Sequence, residues 1–195
     1  MKHRKNSRLN KFVLKKANAT LLRGGIIAYP TEAVFGLGCD PMNAEAIQHL
    51  LRLKNRPQSK GLILVAASFQ QLEPYIQDLS PPLFDKVMKT WPGPVNWLLP
   101  ANTTAPQYLR GSHRLQAVRV SQNPTIQALC RKFGGAIVST SANFSNRPPA
   151  KTALQVRACF KKNIDFVING SIGQQHQPCE IRNGLNNKIL RPATG

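Results

Sequence analysis

Apolar and polar positions first fall into a helical rhythm at Leu9, Phe12, Val13, Lys16, Ala17, Thr20 and Leu21, and Gly24-Gly25 ends that helix before an apolar run. Residues 26–29 read as a strand. Asn43 caps a helix whose apolar face is Ile47, Leu50 and Leu51, and Pro57 pushes Arg56 out of the helical region. Residues 62–65 are the next strand. Ser68 with Gln71 has the form of a capping box for a short helix, and residues 82–90 predict another, broken by Trp91-Pro92-Gly93-Pro94. Strands follow at 95–99 and 117–120. Asn123-Pro124 starts a helix running to Phe133, Gly134-Gly135 stops it, and residues 136–139 return as a strand. Thr152 with Gln155 is a second capping box, followed by strands near 166–168 and 188–190. Residues 171–187, rich in Gln, Asn and Gly, predict a mobile surface loop. Strands and helices alternating at such short spacing predict one α/β domain over residues 1–195, with no linker and no repeat.

Composition changes this picture through charge. The 195 residues hold 27 Lys+Arg against 8 Asp+Glu, a net charge of +19, while 42% are hydrophobic and only 18% charged. The basicity therefore reflects a shortage of carboxylates, and a disordered tail is excluded. Residues 1–23 carry eight cations and no carboxylate, residues 24–85 four cations and six carboxylates, and residues 86–164 twelve cations and again no carboxylate. Such one-signed stretches point to a polyanionic partner. Aromatic residues are only 7% of the chain, which favours recognition of backbone or shape, as in double-stranded RNA, over base stacking. No apolar run approaches the ~20 residues that cross a bilayer, so no membrane is expected. Met1-Lys2-His3-Arg4-Lys5 lacks the form of a secretion signal, and the chain is expected in the cytoplasm. Cys39, Cys130, Cys159 and Cys179 lie far apart and read as free buried thiols, and the scattered His3, His49, His113 and His176 supply no metal spacing.

The common nucleotide motifs are absent: there is no Gly-x-x-x-x-Gly-Lys loop, and Gly36-Leu37-Gly38 lacks the third glycine and the helix of a dinucleotide fingerprint. Three other segments carry candidate chemistry. Lys54-Asn55-Arg56-Pro57 leaves a helix in an extended conformation, so Lys54 and Arg56 can clamp one anion, although cations also suit any helix C-terminus. Ser139-Thr140-Ser141-Ala142-Asn143 places hydroxyls and an amide at the end of a strand, a place for a ligand or for an ordinary turn. Tyr29 to Gly38 also follows a strand, and its glycines permit close backbone approach to a ligand or simply a tight loop.

Taken together and in order, these segments resemble the TsaC/YrdC family of threonylcarbamoyl-AMP synthases, whose signature is Lys-x-Arg followed much later by Ser-x-Asn, here Lys54-Asn55-Arg56 and Ser141-Ala142-Asn143. The likeness extends over the Tyr29-Pro30-Thr31-Glu32 loop, Gly61-Leu62-Ile63-Leu64, Trp91-Pro92-Gly93-Pro94, Ala117-Val118-Arg119-Val120 and Ile189-Leu190-Arg191-Pro192. It implies a short bacterial form, with a single-domain twisted, open mixed sheet, flanking helices and a positively charged concave face. It implies synthesis of threonylcarbamoyl-adenylate and pyrophosphate from L-threonine, bicarbonate and ATP, a nucleotidyltransferase step towards N6-threonylcarbamoyladenosine at tRNA position 37. Mg²⁺ would arrive with ATP, and other proteins would transfer the group to tRNA. By the same resemblance Lys54, Arg56 and Lys60 would hold phosphates, with Lys54 and Arg56 serving catalysis and Ser141, Asn143 and Arg191 also at the nucleotide. Arg119 would take the threonine carboxylate, with Thr31, Ser139 and Cys179 nearby. Ala33 and Cys179 depart from the threonine and serine common at those positions in relatives. A non-enzymatic RNA-binding or ribosome-maturation factor is the competing expectation, because charge alone favours it.

Overall fold

A computed structural model describes residues 9–174 and 179–192. Its strands, in chain order, are β1 (Ile27–Pro30), β2 (Phe35–Gly38), β3 (Ile63–Ala66), β4 (Val95–Pro100), β5 (Leu115–Val120), β6 (Ile137–Ser141), β7 (Phe166–Val167), β8 (Glu180–Asn183) and β9 (Ile189–Arg191). Among the described residues they form one mixed sheet in the order β7-β1-β2-β6-β3-β5-β4-β8-β9. Helices α1 (Lys11–Leu22), α2 (Ala44–Lys54), α3 (Pro81–Met88), α4 (Gln107–Arg110), α5 (Pro124–Phe133) and α6 (Ala153–Phe160) flank it.

The caps expected from the sequence are made. Asn43 Oδ1 accepts from Ala46 N at 2.9 Å to open α2, Asn123 Oδ1 accepts from Thr125 N at 2.9 Å to open α5, and Thr152 Oγ1 accepts from Gln155 N at 3.1 Å to open α6. Ser68 does not cap. The segment after it is a 3₁₀ turn, Phe69–Gln71, with Gln71 Oε1 accepting from Ala67 N instead. Every residue of β1 and β2 is buried, because helices and loops cover both faces there.

One face packs Leu37, Leu64, Val118 and Val138 against α2 and α6, and the other packs Ile27, Val65 and Ile137 against α1 and α5. The second cover is partial. A row of cross-strand neighbours, Ser139, Ile63, Ala117, Leu98 and Asn183, continues this face beyond α1 and α5 and remains half-exposed.

Two expectations change. Residues 35–38, read as part of a ligand loop, form β2, and residues 180–183, read inside a surface loop, form β8 parallel to β4. Of the expected loop, residues 175–178 lie outside the described residues, as do the cations of 1–8 and His176. The thiols also divide: Cys39 and Cys130 are buried, Cys179 is half-buried and Cys159 is exposed.

Candidate active site

The Lys-x-Arg segment does not leave α2 extended. Asn55 adopts the left-handed conformation at φ 49°, ψ 50°, and its N–H and that of Arg56 return to carbonyls of the last turn. Lys54, still helical and 3% exposed, consequently points inward. Its Nζ donates to Ser141 O, to Asn143 O at 2.6 Å and to Asn143 Oδ1 at 3.3 Å. Ser141 Oγ donates to the same Oδ1 at 2.6 Å, and Asn143 Nδ2 donates to Arg147 O at 2.6 Å. Lys54 O in turn accepts from Ser145 N and Oγ. The two halves of the signature are thus one hydrogen-bonded unit, centred on an ammonium inside a cage of oxygens. Burial, aided by the Arg56 charge, pushes that ammonium down to about 8.

Arg56 turns the other way, donating from Nη2 to Gly61 O at 2.9 Å, and Lys60 is exposed beside it. The expected two-cation clamp of Lys54 and Arg56 is therefore not formed by the side chains. Arg56 and Lys60 share one hollow, and the Lys54 ammonium sits in its own cage.

A second cluster builds around Arg119 on β5. Its Nη1 lies 2.5 Å from Glu32 Oε1, Nη2 is 3.5 Å from Oε2, and Ser121 Oγ donates to Oε1 at 3.0 Å. Burial alone would raise the Glu32 carboxyl, but the Arg119 charge and the hydrogen bonds from Arg119 and Ser121 outweigh it and hold the group below its ordinary value. The Arg119 Nε is buried without a partner among the described residues, leaving one donor of the fork unused. Cys179 lies within the fields of Arg119, Glu32 and Arg191, and burial raises its thiol. Arg191, expected at the nucleotide, donates from Nε and Nη2 to Cys179 O at 3.0 and 2.7 Å, so its guanidinium is anchored at this cluster.

Between the clusters lie Tyr29, Thr31 and Ser139. Tyr29 is fully buried, and its hydroxyl donates to Ser139 Oγ at 2.9 Å. The ring reaches that far because Gly36 and Gly38 lie beneath it. A Cβ on Gly38 would stand 2.9 Å from Tyr29 Cε1 and 2.7 Å from Val138 O. The close approach that these glycines permit is to an aromatic ring of the same chain. Thr31 Oγ1 donates to Val34 O at 2.7 Å and shapes the loop between β1 and β2, with half-buried Ala33 inside it.

The structure brings Thr31, Glu32, Arg119, Ser139, Cys179 and Arg191 into one region and Lys54, Ser141 and Asn143 into an adjoining one. Sequence reasoning missed Ser121 and the reach of Tyr29. Ser121 was findable, since two residues after Arg119 it faces the same side of the strand.

The Sua5_yciO_yrdC family model, described as "Telomere recombination", matches residues 19–193. The chain belongs to the Sua5/YciO/YrdC family. Two similar members are each named threonylcarbamoyl-AMP synthase. That of Nitrosococcus oceani is 50% identical over 174 residues, covering 89% of this chain and 94% of the relative, and that of Halorhodospira halophila is 47% identical over 180 residues, covering 92% and 94%. The fold also matches P. abyssi Sua5 complexed with L-threonine, with TM-score 0.85 at 26% identity over 91% of this chain. This Sua5/YciO/YrdC chain spans 52% of the length of that protein.

Proposed function

We propose that this chain is a threonylcarbamoyl-AMP synthase, a nucleotidyltransferase acting on L-threonine, bicarbonate and ATP. The observation that carries the reading is the Lys54 cage: it joins Lys-x-Arg to Ser-x-Asn across 89 residues, in a chain that also buries an arginine on a carboxylate and is 47% and 50% identical to two proteins of that name.

The amine of threonine and bicarbonate give a carbamate and water. A carbamate oxygen then attacks the α-phosphorus, the bond to the bridging oxygen breaks, and pyrophosphate leaves with the electron pair. Such a step requires alignment and cations at the developing charge more than a base. Arg119, oriented by Glu32, takes the threonine carboxylate through its remaining donors, with Thr31, Ser139 and Cys179 around the rest of the amino acid. Ser141 and Asn143, fixed by Lys54, hold the nucleotide, and Arg56 and Lys60 face its phosphates, with Arg191 between the two substrates. Glu32, the one carboxylate in these segments, is committed to Arg119 and Ser121, and in this reading Mg²⁺ would enter on the phosphates of ATP as part of the substrate.

The uncovered sheet face is the concave, positive surface of this reading, one domain spans residues 1–195, and the product passes in the cytoplasm to proteins that transfer it to tRNA. The net charge of +19 supports contact with tRNA or other double-stranded RNA through its backbone. An RNA-binding or ribosome-maturation factor without catalysis has no use for the caged lysine or the buried Arg119–Glu32 pair, and that alternative is not favoured. The test is pyrophosphate release from ATP, with threonine and bicarbonate omitted in turn. Release that needs both supports the proposal, and equal release without threonine overturns it.

A further inference from the structure

Val95, Trp97 and Leu99 of β4 pack into one core, so Asn96 between them leaves the strand on the open face, where it is 2% exposed. Arg119 leaves β5 on that same face, since its neighbours Val118 and Val120 belong to the same core. Each stands one residue beyond the cross-strand pair Trp97–Val118, and on its other side Asn96 is paired with half-buried Ile181 of β8. Three adjacent strands thus line up a cation, an amide and an aliphatic side chain, in that order, with Cys179 just ahead of β8.

Asn96 Nδ2 donates to Glu180 O at 2.9 Å. That bond settles which end of the amide is nitrogen, because a carbonyl accepts only from a donor. Cys179 O, one peptide earlier, is held by Arg191, so two successive carbonyls at the start of β8 are fixed by side chains. Asn96 Oδ1 accepts from no described residue, and the neighbouring Arg119 Nε is buried without a partner among them. An amide that served only the sheet would not leave an acceptor beside an unused donor in so buried a place, where an unmade hydrogen bond is costly. The Cys179 thiol is too weak a hydrogen-bonding group to stand in for either.

We infer that Asn96 determines which amino acid the site accepts: its Oδ1 accepts from the side-chain hydroxyl of threonine, and Ile181 beyond it takes the methyl group. The inference rests on the synthase reading, in which Arg119 holds the carboxylate. Carboxylate, hydroxyl and methyl group then meet Arg119, Asn96 and Ile181 in the order in which the strands present them. The bond to Glu180 O keeps Oδ1 from turning away, and a fixed acceptor discriminates strongly because a ligand without the hydroxyl leaves it unpaired. 2-Aminobutyrate, which is threonine without the hydroxyl, fails at Asn96. Serine, which lacks the methyl group, fails at Ile181.

The test measures equilibrium binding of L-threonine, L-allo-threonine, L-serine and L-2-aminobutyrate to the full chain and to Asn96→Leu, Asn96→Thr and Ile181→Ala, with Asn96→Ala in place of the leucine variant if that one does not fold. The parent should bind threonine about tenfold or more above 2-aminobutyrate and allo-threonine, the latter presenting a methyl group where the hydroxyl belongs. Asn96→Leu should weaken threonine about tenfold and leave 2-aminobutyrate within about twofold, so that the preference collapses, and Asn96→Thr, which restores an oxygen, should recover part of it. Ile181→Ala should weaken threonine and leave serine within about twofold. Equal affinity of the parent for threonine and 2-aminobutyrate, an unchanged preference in Asn96→Leu or its alanine substitute, or an equal loss for all four ligands, as a merely structural strut would give, would each overturn the proposal. Binding and synthesis are read separately. A chain that makes no threonylcarbamoyl-AMP yet loses its preference in Asn96→Leu keeps the hydroxyl contact and refutes the synthase, and normal synthesis with an unchanged preference does the reverse.

Discussion

Arg119 and Glu32, 87 residues apart, are joined by a buried ion pair at 2.5 Å that fastens the loop after β1 to the end of β5. Their exposures, 5% and 8%, leave neither group water to fall back on if the other is lost. Glu32→Gln should therefore cost about 3 kcal/mol in chemical denaturation, and Glu32→Gln with Arg119→Met should cost less than the sum of the single changes. The carboxyl is held below its ordinary 4.5, so its contribution is present above that value and lost as pH falls through the folded value. Stability measured from pH 6 downward should then fall less steeply in Glu32→Gln than in the parent.

Lys54→Met keeps the stem but removes the donor from Ser141 O, Asn143 O and Asn143 Oδ1. Leaving buried acceptors unpaired costs about 1–3 kcal/mol, so this variant should melt lower as well as bind ATP more weakly, and an unchanged melting temperature would refute the cage. The pH effect has the same sign as that of Glu32, because each group binds fewer protons in the folded chain, but it falls in a higher window. Between about 8 and the ordinary 10.5 the unfolded chain keeps a proton on Lys54 that the folded chain has released, so this residue's contribution rises with pH across that window. Lys54→Met should lack that rise.

Gly38→Ala places a methyl group 2.7 Å from Val138 O and 2.9 Å from the Tyr29 ring. Relief requires moving the ring away from Ser139, at a cost of about 1–3 kcal/mol of overpacking. Threonine affinity should drop in this variant, whereas Tyr29→Phe, which removes only the hydroxyl, should cost about 0.5–1.5 kcal/mol.

Thiol alkylation followed by mass spectrometry should label Cys159 first, Cys179 slowly, and Cys39 and Cys130 only on unfolding. Burial raises the Cys179 thiol, and it raises Cys130 to about 12. Threonine with ATP should slow labelling of Cys179 alone, and Cys179→Ser should keep or improve threonine affinity. A Cys179 rate indifferent to substrate would remove it from the site.

Legibility in the sequence followed burial. β1 was readable because a strand covered on both faces appears as an unbroken apolar run, and β3 and β6 were readable from their covered portions, residues 64–66 and 136–138. β2 was not, because Gly36 and Gly38 occupy the positions where alternating side chains would have declared a strand. β8, Glu180-Ile181-Arg182-Asn183, is half-exposed near the sheet edge and gave too little apolar signal. The identities of Lys54, Arg56, Ser141 and Asn143 were legible as a pattern, but the direction of Lys54 was not. It depends on the left-handed turn at Asn55, a conformation asparagine tolerates without announcing it. The Arg119–Glu32 pair could not be read at all, since nothing local in either segment refers to the other.

β6 enters the sheet between β2 and β3, although those two are consecutive in the chain and β6 starts 71 residues after the end of β3. During synthesis β2 and β3 must therefore wait as open edges, exposing unpaired N–H and C=O groups until residue 137 has emerged. Pairings so distant in sequence make folding slow. They also mean that the strand which joins the halves of the sheet brings Ser139 and Ser141 with it, while Cys179 and Arg191 follow only with β8 and β9, so the candidate site stays incomplete until nearly the whole chain has emerged.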